Sequence, residues 1–292
     1  MNKLHLKQLA VDWKESGIVG LISDHKEATD GSVFTYFAYT YKKIGRSFLI
    51  TPPLSPFGYE SVPQGSEAAL HQFLDFLDKN HSKSYIHIVL NADSQSKSVL
   101  KDRGFETSEK PNFTLDLSAH LDDIKRGLSS TRKRQINKSE RELTLVTDSN
   151  RDQIFDLFRD TYRKNGLSIP EVFFEKLESR ETGHEQILSA VYQGENLLAA
   201  NLCVKSGDVA YYLLGGVNAK FKMAHPGTYS LWTCILAARE MGAKNFDFCG
   251  SAVPGIARFF KSFGAVENRY LEIKKGHKGV DFVKKMKSKF VN

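Results

Sequence analysis

Apolar and polar residues along this chain switch repeatedly between a period of two and a period of 3.6, which predicts strands alternating with helices. The clearest run covers a strand at 209–217, a loop ending in Pro226-Gly227, a helix at 228–241, a strand at 245–249, a short helix at 254–263 and a last strand at 269–275. Upstream, 186–192, 197–205 and 209–217 read as strands joined by the turn signals Gln193-Gly194-Glu195-Asn196 and Ser206-Gly207-Asp208, an antiparallel meander. Before them come a strand at 113–117, a long basic segment at 121–141, a strand at 143–147 and helices at 151–164 and 170–179. In the helix at 151–164, Ile154, Phe155, Leu157, Phe158 and Tyr162 share one side, as befits a helix lying on a sheet.

The first third repeats the alternation. Residues 34–40 and 47–50 read as a hairpin around Lys42-Lys43-Ile44-Gly45, 67–80 as an amphipathic helix, 85–90 as a buried strand, and 94–103 as a helix closed by Gly104. Pro111 and Asn112 mark a break, and no short repeat or low-complexity run is present. Two α/β domains, 1–115 and 116–292, are the economical reading.

Composition narrows the class. With 292 residues, 41% hydrophobic and 26% charged, the chain can bury a substantial core. Asp12, Lys14 and Glu15 interrupt the opening residues, and no apolar run approaches the roughly 18 residues that span a bilayer, so a cytoplasmic protein is expected. Cys203, Cys234 and Cys249 are odd in number and far apart, which suggests reduced thiols, and the scattered histidines imply no metal. Of the net charge of +7, six units come from seven lysines between Lys274 and Lys289 set against Asp281 alone. There Val283, Met286 and Phe290 recur among the lysines, as in a short helix that rests weakly on an anionic membrane. A tail that docks its apolar edge on the domain, or attracts nucleic acid, fits the same pattern.

Several residues could carry chemistry. Gly227 and Thr228 open a helix whose first N–H groups lack intrahelical partners and whose dipole favours an anion, so a phosphate-bearing donor is a natural guest; an ordinary loop entering a helix is the bland alternative. Asp247 alternates with Phe246 and Phe248 along a strand, where its carboxylate could orient or deprotonate an amine, or could cap a loop. Lys261 points away from the face expected to bury Ile256, Phe259, Phe260 and Phe263. Within the basic segment Arg134, Lys138 and Arg141 form one helical stripe that could meet the phosphates of a sugar nucleotide, tRNA or lipid, or simply face water. No Gly-x-Ser-x-Gly elbow, Walker loop or Gly-x-Gly-x-x-Gly turn is present, which weighs against hydrolase, kinase and Rossmann readings.

The element order over 143–275 resembles the GNAT acyltransferase fold. Three strings resemble its FemAB-like (Fem-type) branch, which uses two GNAT-like domains in tandem: Thr51-Pro52-Pro53-Leu54-Ser55-Pro56-Phe57-Gly58, Ser129-Ser130-Thr131-Arg132-Lys133-Arg134-Gln135-Ile136, and Asp247-Phe248-Cys249-Gly250 followed by the run from Gly255 to Gly264. The resemblance implies an α/β (α+β) fold of two mixed, mostly antiparallel sheets flanked by helices, with the acceptor side at 1–115 and the donor side at 116–292. It implies transfer of an acetyl, longer acyl or aminoacyl group to an amine of a small-molecule or lipid-linked acceptor, from acyl-CoA or aminoacyl-tRNA. Gly216, Val217, Lys222, Gly227 and Thr228 would hold the donor, Tyr212, Arg134 and Lys138 the acceptor, and Lys261 would stabilise an oxyanion. Where acetyl-CoA enzymes carry Gln/Arg-x-x-Gly-x-Gly/Ala, this chain has Lys222-Met223-Ala224-His225-Pro226-Gly227, and Phe259 and Phe260 stand where a GNAT helix often carries an acidic Tyr. Tyr229 is then the candidate to protonate the leaving group. A catalytically degenerate relative that binds tRNA, polysaccharide or an anionic membrane is the other reading.

Overall fold

The computed structural model describes residues 20–27, 33–43, 46–50, 67–90, 96–147, 150–166, 171–179, 185–221, 225–250 and 253–276. The string at 51–58, Lys222 and the lysines beyond 276 lie outside the described residues. The chain divides into two compact units, one holding the described part of Lys110–Arg269, the other that of Trp13–Glu109 and Tyr270–Asn292.

The N-terminal unit begins with β1 (Gly20–Glu27), which the hydrophobic pattern did not predict; it pairs antiparallel with β2 (Val33–Lys43), and β2 forms the expected hairpin with β3 (Arg46–Ile50). Helix α1 (Glu67–His81) leads to β4 (Ser84–Leu90), parallel to β3. Leu70, Phe73, Leu74 and Leu77 of α1 are buried at the spacing the sequence predicts, against Ile86 and Ile88. Helix α2 (Ser96–Asp102) ends at Gly104, whose φ of 76° lets the Phe105 N–H reach back 2.9 Å to the Leu100 carbonyl. Pro111 and Asn112, read as a break, sit inside β5 (Glu106–Asp116), beside the division at Lys110.

The larger unit continues with α3 (Leu121–Gly127) and α4 (Ser130–Glu142), two helices where the sequence showed one basic segment, because Ser129 starts a new helix by accepting the Arg132 N–H. Then come β6 (Thr144–Thr147), α5 (Arg151–Lys164), α6 (Glu171–Glu178), β7 (Glu185–Gln193), β8 (Asn196–Ser206), β9 (Val209–Val217), α7 (Pro226–Glu240), β10 (Asn245–Asp247), α8 (Pro254–Lys261) and β11 (Val266–Lys275). The strand order is β5-β10-β9-β8-β7-β6, antiparallel throughout except for the β10–β9 pair. Helix α7 packs on β7 to β9 and under α4, while α5 packs on β8 and β9. A core of Phe113, Leu115, Ile136, Leu231, Trp232, Ile235, Phe246, Phe248, Phe260 and Phe263 joins the sheet to α4, α7 and α8.

The last strand departs from expectation: Leu271–Lys275 pair antiparallel with β4, so this end of the chain completes the N-terminal unit. There Glu272 receives the His87 ring at 2.8 Å, the Ser108 hydroxyl at 3.0 Å and the Lys274 ammonium at 3.0 Å. These partners, the His87 hydrogen bond foremost, hold its carboxyl well below its ordinary value of 4.5, against the opposing pull of burial. A depressed carboxylate contributes stability that is present above the unfolded value and lost as pH falls beneath it. Urea unfolding of the wild type should therefore weaken steadily from about pH 5 to pH 2, and Glu272→Gln should flatten that slope.

Candidate active site

Strand β10 pairs with β9 over only three positions, ending at Asp247 opposite Tyr211, while β9 runs on to Val217. The sequence suggested a strand reaching residue 249, but Cys249 adopts a left-handed φ of 58°, which turns the chain out of the ladder. Just past the last pair, the β8–β9 register slips between Leu202, opposite Leu214, and Cys203, opposite Tyr212. The extra residue, Leu213, is a bulge that bends β9 away from β10. Together these leave a wedge along Tyr212–Val217, with no strand pairing on that side among the described residues. Its closed end is capped by Cys249, whose thiol is pushed up by burial and by Asp247, with the facing Tyr212 N–H pulling the other way.

Residues directly opposite in a ladder share a face, so the two sides of the wedge can be told apart. Asn201 stands opposite Gly215, and its Nδ2 donates to the Gly227 carbonyl at 3.4 Å, which identifies the α7 face. On this face Tyr212 donates its hydroxyl to Asn201 Oδ1 at 2.9 Å, crossing Gly215, where any Cβ would overlap that hydroxyl. The same face carries the α7 N-terminus. Thr228, expected to offer an open N–H, spends it on the His225 carbonyl at 3.0 Å, because His225 is left-handed (φ 51°) and Pro226 tightens the first turn. Its hydroxyl accepts from Arg132 at 3.2 Å.

Arg132 is the cation this end of the helix holds. Its Nε donates to Ser262 Oγ at 2.6 Å, Nη1 also reaches Gln135, and the guanidinium lies 4.5 Å over the Phe259 ring. No carboxylate ion-pairs with it among the described residues, and burial lowers its pKa. A half-buried, unneutralised guanidinium beside a helix N-terminus is an electrostatic invitation to an anion. The geometry also explains why two of the resemblance strings occur together. The Ser129 N–H donates to the Ser262 carbonyl at 3.0 Å, and Gly264, at φ 87°, passes so close to Gly127 that a Cβ would stand 3.1 Å from its carbonyl oxygen.

The opposite face belongs to α5, whose Leu157 and Thr161 press on Gly216. Asp247 points to this face, since Phe246 is in the core on the other. It is 8% exposed, accepts the Cys249 N–H at 2.6 Å and the Asn112 side-chain amide at 3.1 Å, and burial pushes its carboxyl up to about 6 against those two hydrogen bonds. The phenol of Tyr162, from α5, lies against the Gly215 backbone; burial raises it to about 12, so it keeps its proton. Beyond the end of β9, a cavity of about 530 Å³ is lined by Asp156, Thr161, Val217, Asn218 and Lys220.

The remaining sequence candidates fall as follows. Gly216 and Val217 flank the wedge, and Gly227 touches Val217 so closely that a Cβ would meet its Cγ2 at 2.9 Å. Lys261 is exposed, ion-paired with Glu267 at 2.6 Å and 5.8 Å from the centre of the Phe113 ring. Ile256, expected to pack inward with Phe260 and Phe263, is 43% exposed, because α8 is held by its C-terminal half. Tyr229 is buried in the core, its phenol raised by burial and by Glu140 of α4, which places it on the α4 side of α7. Arg134 and Lys138 are exposed, Lys138 at 4.0 Å from Glu142. Sequence reasoning missed Arg132, Asn112 and Tyr162. Only Arg132 carried a signal, as a basic residue in the first turn of a Ser-capped helix. Among the described residues, no cluster of metal-binding side chains occurs and no helix is long and apolar enough to cross a membrane.

This architecture is the GNAT fold, a mixed α/β sheet whose central parallel pair splays into a wedge. Residues 125–261 match the model of the acetyltransferase (GNAT) domain family. Among solved structures, the chain is similar to FemX, with a TM-score of 0.68 and 16% identity over 93% of this chain and 92% of that one. It is similar to L-PGS from Bacillus licheniformis (TM-score 0.56, 11% identity, 97% and 95% covered) and to a tandem GNAT protein from the clavulanic acid biosynthesis pathway (0.51, 10%, 84% and 79%). A comparison with curated proteins finds no match.

Proposed function

We propose that the protein is an N-acyltransferase of FemAB-like type, moving an acetyl, longer acyl or aminoacyl group from acyl-CoA or aminoacyl-tRNA to an amine of a cell-envelope or small-metabolite acceptor. The observation that carries this reading is the two-sided wedge: a buried carboxylate at its closed end on the α5 face, and an unneutralised arginine at a helix start on the α7 face. Arg132, with Gly227 and Thr228, would take a donor phosphate, and Asp247, held near neutrality, would take the proton of the acceptor ammonium. Tyr162 replaces Tyr229 as the acid suited to the leaving group, since its phenol reaches the β9 backbone inside the wedge. The donor would lie in the larger unit, which carries the wedge.

The test is a panel of acyl-CoAs and charged tRNAs offered with simple amines to the purified protein. Turnover with one donor class, abolished by Asp247→Asn, is expected; neither binding nor turnover with either class would defeat the reading. Lys261 separates structure from chemistry in the same assay. Its ion pair is largely exposed, so Lys261→Met should leave the urea midpoint nearly unchanged, and any loss of turnover then reports a role at the reacting carbonyl.

A further inference from the structure

Asn112, on β5, is 6% exposed and uses only half of its amide. Its Nδ2 donates to Asp247 Oδ2 at 3.1 Å, while its Oδ1 is enclosed with no donor among the described residues. Turning the amide over would aim Oδ1 at an ionised carboxylate, oxygen against oxygen, so an ionised Asp247 fixes this orientation and keeps the orphan oxygen in place. A buried acceptor without a donor is costly, and here it sits beside a carboxylate that has no cationic partner either. One kind of guest satisfies both groups at once: a cation that carries N–H bonds.

We propose that Asn112 is a positioning residue for a primary ammonium, whose N–H groups it shares with Asp247: one to Asn112 Oδ1, one to the carboxylate. This rests on the acyl-transfer reading and adds to it the element that aims the acceptor. The ammonium gives one proton to Asp247; the freed lone pair forms the C–N bond to the acyl carbon of the thioester or ester donor. The bond from that carbon to sulfur or oxygen breaks, the leaving atom takes the Tyr162 proton, the second proton on nitrogen returns to Tyr162, and Asp247 passes its own to water. Of the titratable groups facing Asp247, the Cys249 thiol is neutral, and no charged side chain among the described residues contributes to its proton affinity.

The test follows the Asp247 carboxyl carbon by NMR in the full chain, titrated with butylammonium and with tetramethylammonium, which has the charge but no N–H. Butylammonium should lower the Asp247 midpoint by about one unit or more, and tetramethylammonium should have far less effect. Asn112→Ala should weaken butylammonium about 10- to 100-fold, and Asn112→Ser serves if that variant does not fold. Equal effects of the two cations, absence of any effect, or unchanged affinity in the variant would overturn the proposal. Acylation of amines with an amine KM untouched by Asn112→Ala would sink this inference alone. Asn112-dependent binding of butylammonium in a protein that acylates nothing would sink the acyl-transfer reading alone.

Discussion

Asp247→Asn is expected to stabilise the protein above pH 6 while removing at least about 100-fold of its turnover, the size usual for a lost general base. Burial raises the carboxyl from 3.8 to about 6 in the folded chain. A folded pKa above the unfolded one means that the native state holds the proton more tightly. That contribution is complete below the unfolded value and is lost as pH rises through about 6. At pH 8 the wild type therefore carries a buried charge that costs about 1–3 kcal/mol. An amide in its place still accepts the Cys249 N–H and, once Asn112 turns over, donates to the Asn112 oxygen, so both hydrogen bonds survive without the buried charge. Urea midpoints should rise in the variant at pH 8 and match the wild type near pH 4. A variant less stable at pH 8, or one with intact turnover, would show that Asp247 is a structural cap.

Phe260→Ala should cost about 3–5 kcal/mol, a large share of the 5–15 kcal/mol typical of a folded domain. Its ring stands 4.7 Å from Phe248, 5.9 Å from Phe113 and 6.0 Å from Tyr212, so it ties α8 to β5, to β9 and to the residue just past β10. The loss should appear as a lower urea midpoint and, with the wedge walls loosened, weaker donor binding. A change below about 1 kcal/mol would mean that the site collapses around the gap or that the aromatic cluster is not what holds α8.

Period and turn chemistry made most of the larger unit legible. The meander β7–β8–β9 and helix α5 lie within a residue or two of their predicted ends, because Gly194 and Gly207, both at positive φ, sit in the turns that the sequence marked. The cause of the wedge was not legible, since neither a left-handed Cys249 nor a bulge at Leu213 has a composition signal. The basic stripe misdirected attention to Arg134 and Lys138, which face water, while Arg132 turns inward because Phe259 and Ser262, far away in sequence, give it a ring and a hydroxyl. Asn112 was hidden for the same reason: its meaning comes from a strand more than a hundred residues on. Helix α8 shows the limit of a helical wheel, which counts Ile256 as core although it stays 43% exposed.

The central claim is that an acyl donor lies along the unpaired edge of β9 with its charged end at the start of α7. Hydrogen exchange read by mass spectrometry, on protein saturated with acyl-CoA or with charged tRNA, tests it directly. One of these donors should slow exchange in peptides covering 212–217 and 226–230 and leave β7 unchanged. Protection confined to other segments, or none with either donor, would contradict the account.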